Sequence, residues 1–155
     1  MEPEIDAADR IILESLQADA RLPQAALGAR AGLSAAAVNR RIRRLSDSGC
    51  ITRTAAVLAP DRLGHALTVI ANIEVVSERP DDLSALEAAF VASPNVQQCY
   101  YVTGEWDFVL ILVVRDMDQY LQLTRELFFG SDNVKRFKSL VVMNRAKVTL
   151  DVPVG

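Results

Sequence analysis

The sequence predicts an α+β protein, with an N-terminal helix-turn-helix domain (winged-helix-like) followed by a C-terminal ferredoxin-like βαββαβ domain. Apolar residues recur at helical spacing in the first third of the chain, whereas alternating apolar and polar residues appear after residue 65. Pro60 and Gly64 interrupt the pattern between the two parts. Four arginines fall within residues 40–44 of a chain whose net charge is −3. The predicted parts are a helix-turn-helix domain with a hinge strand at 1–58, a linker at 59–64 and a ferredoxin-like domain at 65–155.

The first two helices are predicted from the residues at their ends. Asp6 can cap a first helix that continues through Leu16. Pro23 suits the first turn of a second helix, PQAALGARA, because its missing N–H costs nothing there. Gly32 can take the left-handed conformation that ends this helix. Gly28, four residues earlier, allows another segment to approach closely.

The third helix is predicted to begin after the capping residue Ser34 and to end before Gly49. Its buried stripe follows an i, i+4, i+7 spacing and consists of Val38, Ile42 and Leu45. The opposite side is basic, although the usual fate of a charge run is simply a solvated face. Residues 1–58 carry eight arginines against seven acids, a net charge of +1, whereas the remainder carries −4. A basic helix that follows a short second helix predicts a helix-turn-helix whose last helix enters the major groove of DNA.

Roles on this helix follow from side-chain chemistry. The small first turn at Ala35–Ala37 brings the backbone close to the bases, and Asn39 and Arg40 are the expected base readers. Guanidinium groups farther along are expected to contact phosphates. Arg41 lies nearer the buried stripe and is expected to brace the domain. The predicted DNA-binding residues are Ser34, Ala35, Ala36, Asn39, Arg40, Arg43, Arg44 and Arg53.

The second domain is predicted from a change of periodicity. After a short strand, CITRTAAVL, that forms a hinge or small wing, the elements are strand ALTVIANIEV, helix DDLSALEAAFVAS, strand NVQQCYYVTG, tight hairpin GEWD, fully buried strand FVLILVV, helix DMDQYLQLTRELFFG and long strand NVKRFKSLVVMNRAKVTL. This order predicts one antiparallel sheet with two helices on one face. The other face carries too many apolar side chains for open water, so we expect a second copy of the chain to cover it.

Composition bounds the class of protein. Half of the 155 residues are hydrophobic, yet no apolar run reaches the about 18 residues that a membrane span needs. The start, MEPEIDAADR, lacks the basic-then-apolar order of a signal peptide. Cys50 and Cys99 are therefore expected to be reduced thiols. These features predict a cytoplasmic protein with no metal, no other cofactor and no membrane partner.

An enzyme is poorly supported by the sequence. No paired carboxylates, Cys–His set, Gly-rich phosphate loop or metal-ligand spacing is present. His65, the one histidine, lies beside a glycine at the domain boundary and is expected to be structural. Asp116 and Asp118 lie at a predicted helix start, where acids favour the helix dipole.

Several stretches together resemble the Lrp/AsnC (leucine-responsive, feast/famine) transcriptional regulators. They are IDAADRIILESLQADAR, LGARAGLSAAAVNRRIRRLSDSGCI, VQQCYYVTGEWDFVLILVVRDM and LFFGSDNVKRFKSLVVMNRAK, and the resemblance covers essentially the whole chain. It implies an N-terminal DNA-binding domain and a C-terminal ferredoxin-like domain that binds amino-acid effectors. It also implies dimers formed through the sheets, which assemble into tetramers, octamers or larger discs.

The resemblance further implies an effector site between subunits of neighbouring dimers, against a G-x-x-D hairpin that is here Gly104 to Asp107. Gly104 permits a positive φ, the hairpin amides can hold a carboxylate, and Asp107 can pair with an α-ammonium group. Without the resemblance, Gly104 and Asp107 are typical of a plain β-hairpin turn. The expected effector-binding residues are Tyr100, Thr103, Gly104, Glu105, Trp106, Asp107, Ser139, Leu140, Val141 and Val142, with Met117 as a further response position.

These inferences predict a sequence-specific DNA-binding transcriptional regulator in the cytoplasm, on the nucleoid. Its oligomeric state and DNA binding are expected to respond to an amino acid bound between subunits of the C-terminal domain. The expected partners are double-stranded DNA, a small amino-acid effector and copies of the same chain, as a homodimer that assembles to a tetramer or octamer. The alternative is a nucleoid-associated architectural protein that wraps DNA with little sequence specificity or effector response. Asn39 discriminates, because a pure wrapper needs no base-edge reader. A stand-alone effector-binding protein would leave the arginine helix unexplained.

Overall fold

The computed structural model describes residues 4–155, which form two compact units. The first unit runs up to Val57 and also includes Lys147–Gly155, and the second is Leu58–Ala146. Residues 1–3, the first residues of the segment MEPEIDAADR that was compared with a signal peptide, lie outside the described residues. The domain ranges inferred from the sequence stay a prediction, and the last nine residues lie with the first unit. No helix within residues 4–155 is long and apolar enough to cross a membrane.

Three helices build the first unit: α1 (Ala7–Ala18), α2 (Gln24–Ala31) and α3 (Ala35–Asp47). Asp6 caps α1 by accepting the backbone N–H of Asp9, whose own side chain accepts the N–H of Asp6, so both ends of a capping box are present. The Ser34 hydroxyl caps α3 in the same way by accepting the N–H of Ala37. The core of the unit is formed by one apolar residue from each helix, namely Ile12, Leu27 and Val38, all buried.

The turn between α2 and α3 depends on two glycines. Gly32 ends α2 with a left-handed φ of 68°, as predicted. A Cβ atom on Gly28 would lie 2.3 Å from the carbonyl oxygen of Leu33, so the close approach is to the backbone of the turn. Pro23 occupies the cap position immediately before α2 instead of its first turn, which corrects the sequence prediction by one residue.

Residues 50–58 form no strand, which contradicts the predicted hinge strand or wing. A strand needs neighbouring backbone N–H and C=O groups to pair with, and no strand of the described chain pairs with this segment. Val57 is 96% exposed, so its side chain is not packed against the rest of the described chain. A short 3₁₀ turn at Asp61–Leu63 follows, and Gly64 ends it with a φ of 78°.

The second unit has the predicted βαββαβ order. Its elements are β1 (Leu67–Val75), α4 (Pro80–Ala92), β2 (Val96–Tyr101), β3 (Phe108–Val114), α5 (Met117–Thr124, extended by a π-helical turn at Arg125–Phe129) and β4 (Val134–Val141). The sheet order is β2-β3-β1-β4 and every neighbouring pair is antiparallel. The ferredoxin-like prediction is therefore confirmed.

One face of the sheet carries the core and the other is open in the single chain. On β3, Phe108, Leu110, Leu112 and Val114 are buried against the helix side, where Leu86, Phe90 and Phe128 meet them. The alternate residues Val109, Ile111 and Val113 are only half-buried, so the strand is not fully buried as predicted. Strand side chains alternate between faces, and only one face has a helical cover.

The predicted last strand is too long: β4 ends at Val141, nine residues before Leu150. The reason is that its partner β1 begins at Leu67, and the final rung is the bond from the N–H of Val142 to the carbonyl oxygen of Thr68. The chain then continues without regular structure, and residues 147–155 form a tail on the first unit.

This tail (residues 147–155) lies along one face of α1. The carboxamide of Gln17 accepts the N–H of Val152 at 2.7 Å and donates to its carbonyl oxygen at 2.9 Å. Two turns earlier on the helix, the guanidinium of Arg10 donates to the carbonyl oxygen of Val154. Residues seven apart share a helix face, so α1 binds the tail at two points.

Candidate nucleic-acid interface and ligand site

The exposed side of α3 forms a shallow, basic depression. It is lined by residues from consecutive turns of the helix and its C-terminal end, namely Ala36, Asn39, Arg40, Arg43, Arg44, Asp47 and Ser48. The structure thus brings together five of the predicted DNA-binding residues. Ser34 and Ala35 lie at the exposed start of the helix, where Ser34 acts as the cap, and Arg53 is exposed in the segment that follows α3.

Two arginines of α3 are held by carboxylates at the start of α1. Asp9 is fully buried, and its oxygens accept from the guanidinium of Arg41 at 2.9 Å and from that of Arg44. Arg41 also pairs with Asp6 at 2.6 Å. The hydrogen bond to Asp6, followed by that to Asp9, raises the pKa of Arg41. The pKa of Asp6 is lowered by the backbone N–H of Asp9 and by Arg41.

These ion pairs separate the arginines by role. The bracing role expected for Arg41 is observed, and Arg44 shares that role although its side chain is 46% exposed. Among the salt bridges of residues 4–155, none involves Arg40 or Arg43. Arg40 and Arg43 are therefore the cations of α3 that face solvent without a carboxylate partner in that part of the chain. Asp9 was not singled out from the sequence, and the only signal for it was its position three residues after the Asp6 cap.

The loop between β2 and β3 is closed by backbone and carboxylate hydrogen bonds. Gly104 has a φ of 122°, which favours glycine. The N–H of Val102 donates to the carbonyl oxygen of Asp107 at 2.8 Å. One carboxylate oxygen of Asp107 accepts the N–H of Val75 at 2.7 Å, so this residue fastens the loop to β1.

A cluster of charged residues that the sequence did not reveal surrounds Trp106. The guanidinium of Arg136 lies 4.6 Å from the centre of the Trp106 ring. It also donates to Glu105 at 3.1 Å and to Glu74. Glu74 accepts a second bond, from Lys135, at 2.6 Å. Arg136 and Glu74 face each other across the β1–β4 register, and such a pairing becomes visible only when the strands are aligned.

The hydrogen bonds to Glu74 shift its pKa. Lys135, followed by Arg136, lowers the pKa of the Glu74 carboxyl. The bonds to Glu74 and then Glu105 raise the pKa of Arg136. Glu74 and Arg136 are therefore charged near neutral pH. The ion pair of Glu105 with Arg136 ties the loop to β4, and hydrogen bonds of Asp107 tie it to β1.

The remaining predicted effector residues lie apart from this cluster. Ser139 stands opposite Ala71 on the helix-facing side of β4, where its hydroxyl is hydrogen bonded to the buried Tyr120. Leu140 stands opposite Ile70 on the open face. Tyr100 lies on β2 with its hydroxyl donating to Gln98 at 2.7 Å. Thr103 lies in the exposed loop, Met117 begins α5, and Val141 and Val142 lie at the end of β4.

Within one chain, the structure therefore brings together the loop residues and separates them from Ser139 to Val142. Ser139 and Val141 face the helices, whereas Leu140 and Val142 point the other way, because strand residues alternate. Within residues 4–155, no group of three or more His, Cys, Asp or Glu side chains is arranged to hold a metal ion.

Comparison with known proteins gives a consistent result for both units. The family model for the Lrp/AsnC ligand binding domain matches residues 68–152. The family model for a winged helix-turn-helix DNA-binding domain matches residues 5–52. An uncharacterised helix-turn-helix transcriptional regulator of Sinorhizobium fredii is 35% identical over 97% of this chain and 89% of its own. The leucine-responsive regulatory protein of Haemophilus influenzae is 32% identical over 94% of this chain and 87% of its own.

Among solved structures, a transcriptional regulator of Neisseria meningitidis in complex with L-methionine superposes with a TM-score of 0.90. It is 26% identical in sequence, and the match covers 97% of both chains.

Proposed function

Because the chain belongs to the Lrp/AsnC family of transcriptional regulators, we propose that it binds operator DNA through α3 and responds to an amino acid held by its C-terminal unit. The relatives are transcriptional regulators, and the solved relative with L-methionine supports an amino acid as the effector. The observation that carries the DNA-binding half is the basic depression on α3, with Arg40 and Arg43 facing solvent. Such a surface neutralises phosphates in a chain that is acidic overall.

The contacts to DNA divide by chemistry. Asn39 and Arg40 read base edges in the major groove, since amide and guanidinium groups match those donor and acceptor patterns. Arg43 contacts a phosphate, and Arg44 does so only as far as its bond to Asp9 permits. Ser34, Ala35 and Ala36 pass close to the backbone and bases at the N-terminal end of the helix, and Arg53 reaches a phosphate beyond it.

The effector acts indirectly. The amino acid binds against the loop of Gly104 to Asp107 between subunits. Tyr100, Thr103 and residues 139–142 are contributed from one side or the other of that subunit interface. The separation of these two groups of residues within one chain supports a site shared between copies. Occupation favours one assembly, a tetramer or an octamer built from dimers, and so changes the spacing of the α3 helices presented to DNA.

Binding measured over a range of salt concentrations tests this function. Arg43→Ala is expected to reduce the slope of log affinity against log salt by about 0.9, because one phosphate contact is lost. The matched control Arg62→Ala changes an exposed arginine of the 3₁₀ turn and is expected to leave the slope unchanged. In a second arm, the common amino acids are added, and operator affinity and particle mass are measured together. A slope unaffected by Arg43→Ala would contradict the placement of α3 on DNA, and no change in either readout would contradict the coupling.

The architectural alternative is not favoured, because the relatives are regulators. Competition with random DNA in the same binding assay separates the two, since a wrapping protein would lose its operator preference. A regulator of this kind acts where chromosomal DNA is, which places it in the cytoplasm on the nucleoid.

A further inference from the structure

The side chain of Arg136 is bound on three sides at the loop between β2 and β3. Its guanidinium lies over the ring of Trp106 and donates to Glu105, an exposed residue of the loop, and to Glu74 of β1. The loop itself is fixed by the bonds from Val102 to Asp107 and from Val75 to Asp107. The pair of Glu105 and Arg136 therefore places one exposed carboxylate beside one exposed guanidinium, and the guanidinium lies over the Trp106 ring.

This pair can open at little cost. Its two side chains are 68% and 53% exposed, and ion pairs exposed to solvent contribute only about 0 to 1 kcal/mol. Swinging Glu105 outward leaves no buried charge behind.

Asp107 is less suited to hold the ammonium group of a ligand. One of its oxygens is 2.7 Å from the N–H of Val75, and its own N–H donates to Ile73 at 2.9 Å. These two hydrogen bonds of Asp107 hold the loop against β1. Glu105, two residues earlier in the loop, has Arg136 as its one ion-pair partner among the described residues.

We propose that Glu105 and Arg136 are the residues that recognise the two charges of the amino-acid effector. The α-carboxylate takes the place of Glu105 on the guanidinium of Arg136, where two parallel N–H donors match its geometry. The α-ammonium pairs with the displaced carboxylate of Glu105, and the Trp106 ring forms the wall beside them. The ligand thus inserts into an existing ion pair, and both charges of that pair remain compensated.

The chemical class of the ligand follows from this arrangement. Both charged groups of the site are used by the α-amino and α-carboxyl groups, so the side chain needs no charge of its own. A free α-amino acid binds, whereas a simple amine or a simple carboxylic acid satisfies only half of the pair. This inference rests on the proposed effector function and specifies the residues that carry it.

Calorimetric titration of the full chain with L-methionine and the other common L-amino acids tests the proposal. For L-methionine, the matched probes are methylthiopropylamine, which lacks the carboxylate, and methylthiobutanoate, which lacks the ammonium. If another amino acid binds instead, its own amine and acid analogues replace them. Arg136→Gln and Glu105→Gln are each expected to weaken binding of the amino acid by about tenfold or more, since each removes a charge-assisted hydrogen bond.

The analogues assign each charge to its partner. Arg136→Gln is expected to weaken binding of the acid and to leave the amine unchanged, and Glu105→Gln is expected to do the reverse. Arg136→Lys keeps the charge but loses the planar fork, so it is expected to restore part of the affinity. The control Lys135→Gln removes the neighbouring cation that contacts Glu74 but neither Glu105 nor Trp106, and its affinity is expected to stay within about twofold of the unsubstituted protein.

The outcomes separate this inference from the function on which it rests. Amino-acid binding by the unsubstituted protein that survives both Arg136→Gln and Glu105→Gln overturns the recognition pair and leaves the effector function intact. An equal loss with Lys135→Gln also overturns it, because the effect is then one of general charge. Silence of the unsubstituted protein across the whole panel overturns the effector function and this inference with it.

Discussion

Single residues decide the shape of the helix-turn-helix, and two glycines do so for different reasons. Gly32 needs a left-handed φ of 68°, but a Cβ there would meet nothing within 4 Å. Gly28 has ordinary helical geometry, but a Cβ there would lie 2.3 Å from the backbone oxygen of Leu33. A backbone atom cannot move aside as the end of a flexible side chain can. The turn is therefore limited by space at one glycine and by conformation at the other.

Gly28→Ala is expected to destabilise the first unit by about 3 kcal/mol, because overpacking against backbone lies at the upper end of its usual range. Gly32→Ala is expected to cost about 1 kcal/mol, the strain of a left-handed alanine. Urea unfolding followed by circular dichroism measures both. Ala29→Gly, at an exposed helical position, controls for helix propensity. Equal stability of the Gly28→Ala protein and the unsubstituted one would show that α2 and α3 do not pack as described.

At the same scale, the sequence identified the arginines of α3 but not their partners. Arg43 and Arg44 are adjacent and chemically identical, yet Arg44 pairs with Asp9, which is 35 residues away along the chain. Arg136 was missed for a similar reason, because it meets Glu105 and Trp106 only across β1. Local patterns predict which residues are exposed, whereas partners distant in the chain require the fold.

At the scale of elements, periodicity and capping predicted the three helices, the βαββαβ order along the chain and the ferredoxin-like topology. The two strands predicted too generously share one cause. The segment 50–58 and the continuation of β4 beyond Val141 both have side chains suited to strands, but neither has a neighbouring strand among residues 4–155. Pairing is a tertiary property, so alternation alone overestimated strand length. The first part of the tail was likewise predicted as part of the last strand, but residues 147–155 form hydrogen bonds with helix α1 instead of with a strand.

Gln17→Ala tests whether the tail stabilises α1. The substitution removes two hydrogen bonds to Val152, and we expect it to lower the free energy of unfolding of the first unit by about 1 kcal/mol. Glu14→Ala, at another exposed position of α1, is expected to change it by less than about 0.5 kcal/mol. Hydrogen exchange of the α1 amides measures the loss of stability at this helix. Identical protection in both variants would mean that the tail contributes nothing to this helix.

At the scale of the whole molecule, the sheet has one covered and one open face. The open face carries Ile70, Val109, Ile111 and Leu140 from neighbouring strands, with Leu140 43% exposed. A continuous apolar surface of this kind is usually an interaction site. It supports the expectation, drawn from the sequence, that a second copy of the chain covers it.

Ile111→Arg is expected to prevent this association, because a guanidinium at the centre of an apolar interface has no partner. Sedimentation equilibrium should then give the mass of one chain, whereas the unsubstituted protein gives that of a dimer or a larger assembly. Val91→Arg, on an exposed position of α4, is the control and is expected to leave the mass unchanged. An unaltered mass for Ile111→Arg would place the interface elsewhere.

The tail also has a consequence for biosynthesis. The segments that form α1, α2 and α3 are synthesised first. Arg10 and Gln17 of α1 obtain their hydrogen-bond partners only when residues 152–154 have been synthesised. Domains translated early usually fold as they emerge, but here the last part of the first unit arrives after the entire sheet. A nascent chain therefore cannot complete its DNA-binding unit before the ligand-binding unit has been synthesised. Truncated translation products carry α3 without the tail that packs on α1, and the complete unit is formed only by chains that also contain the sensor.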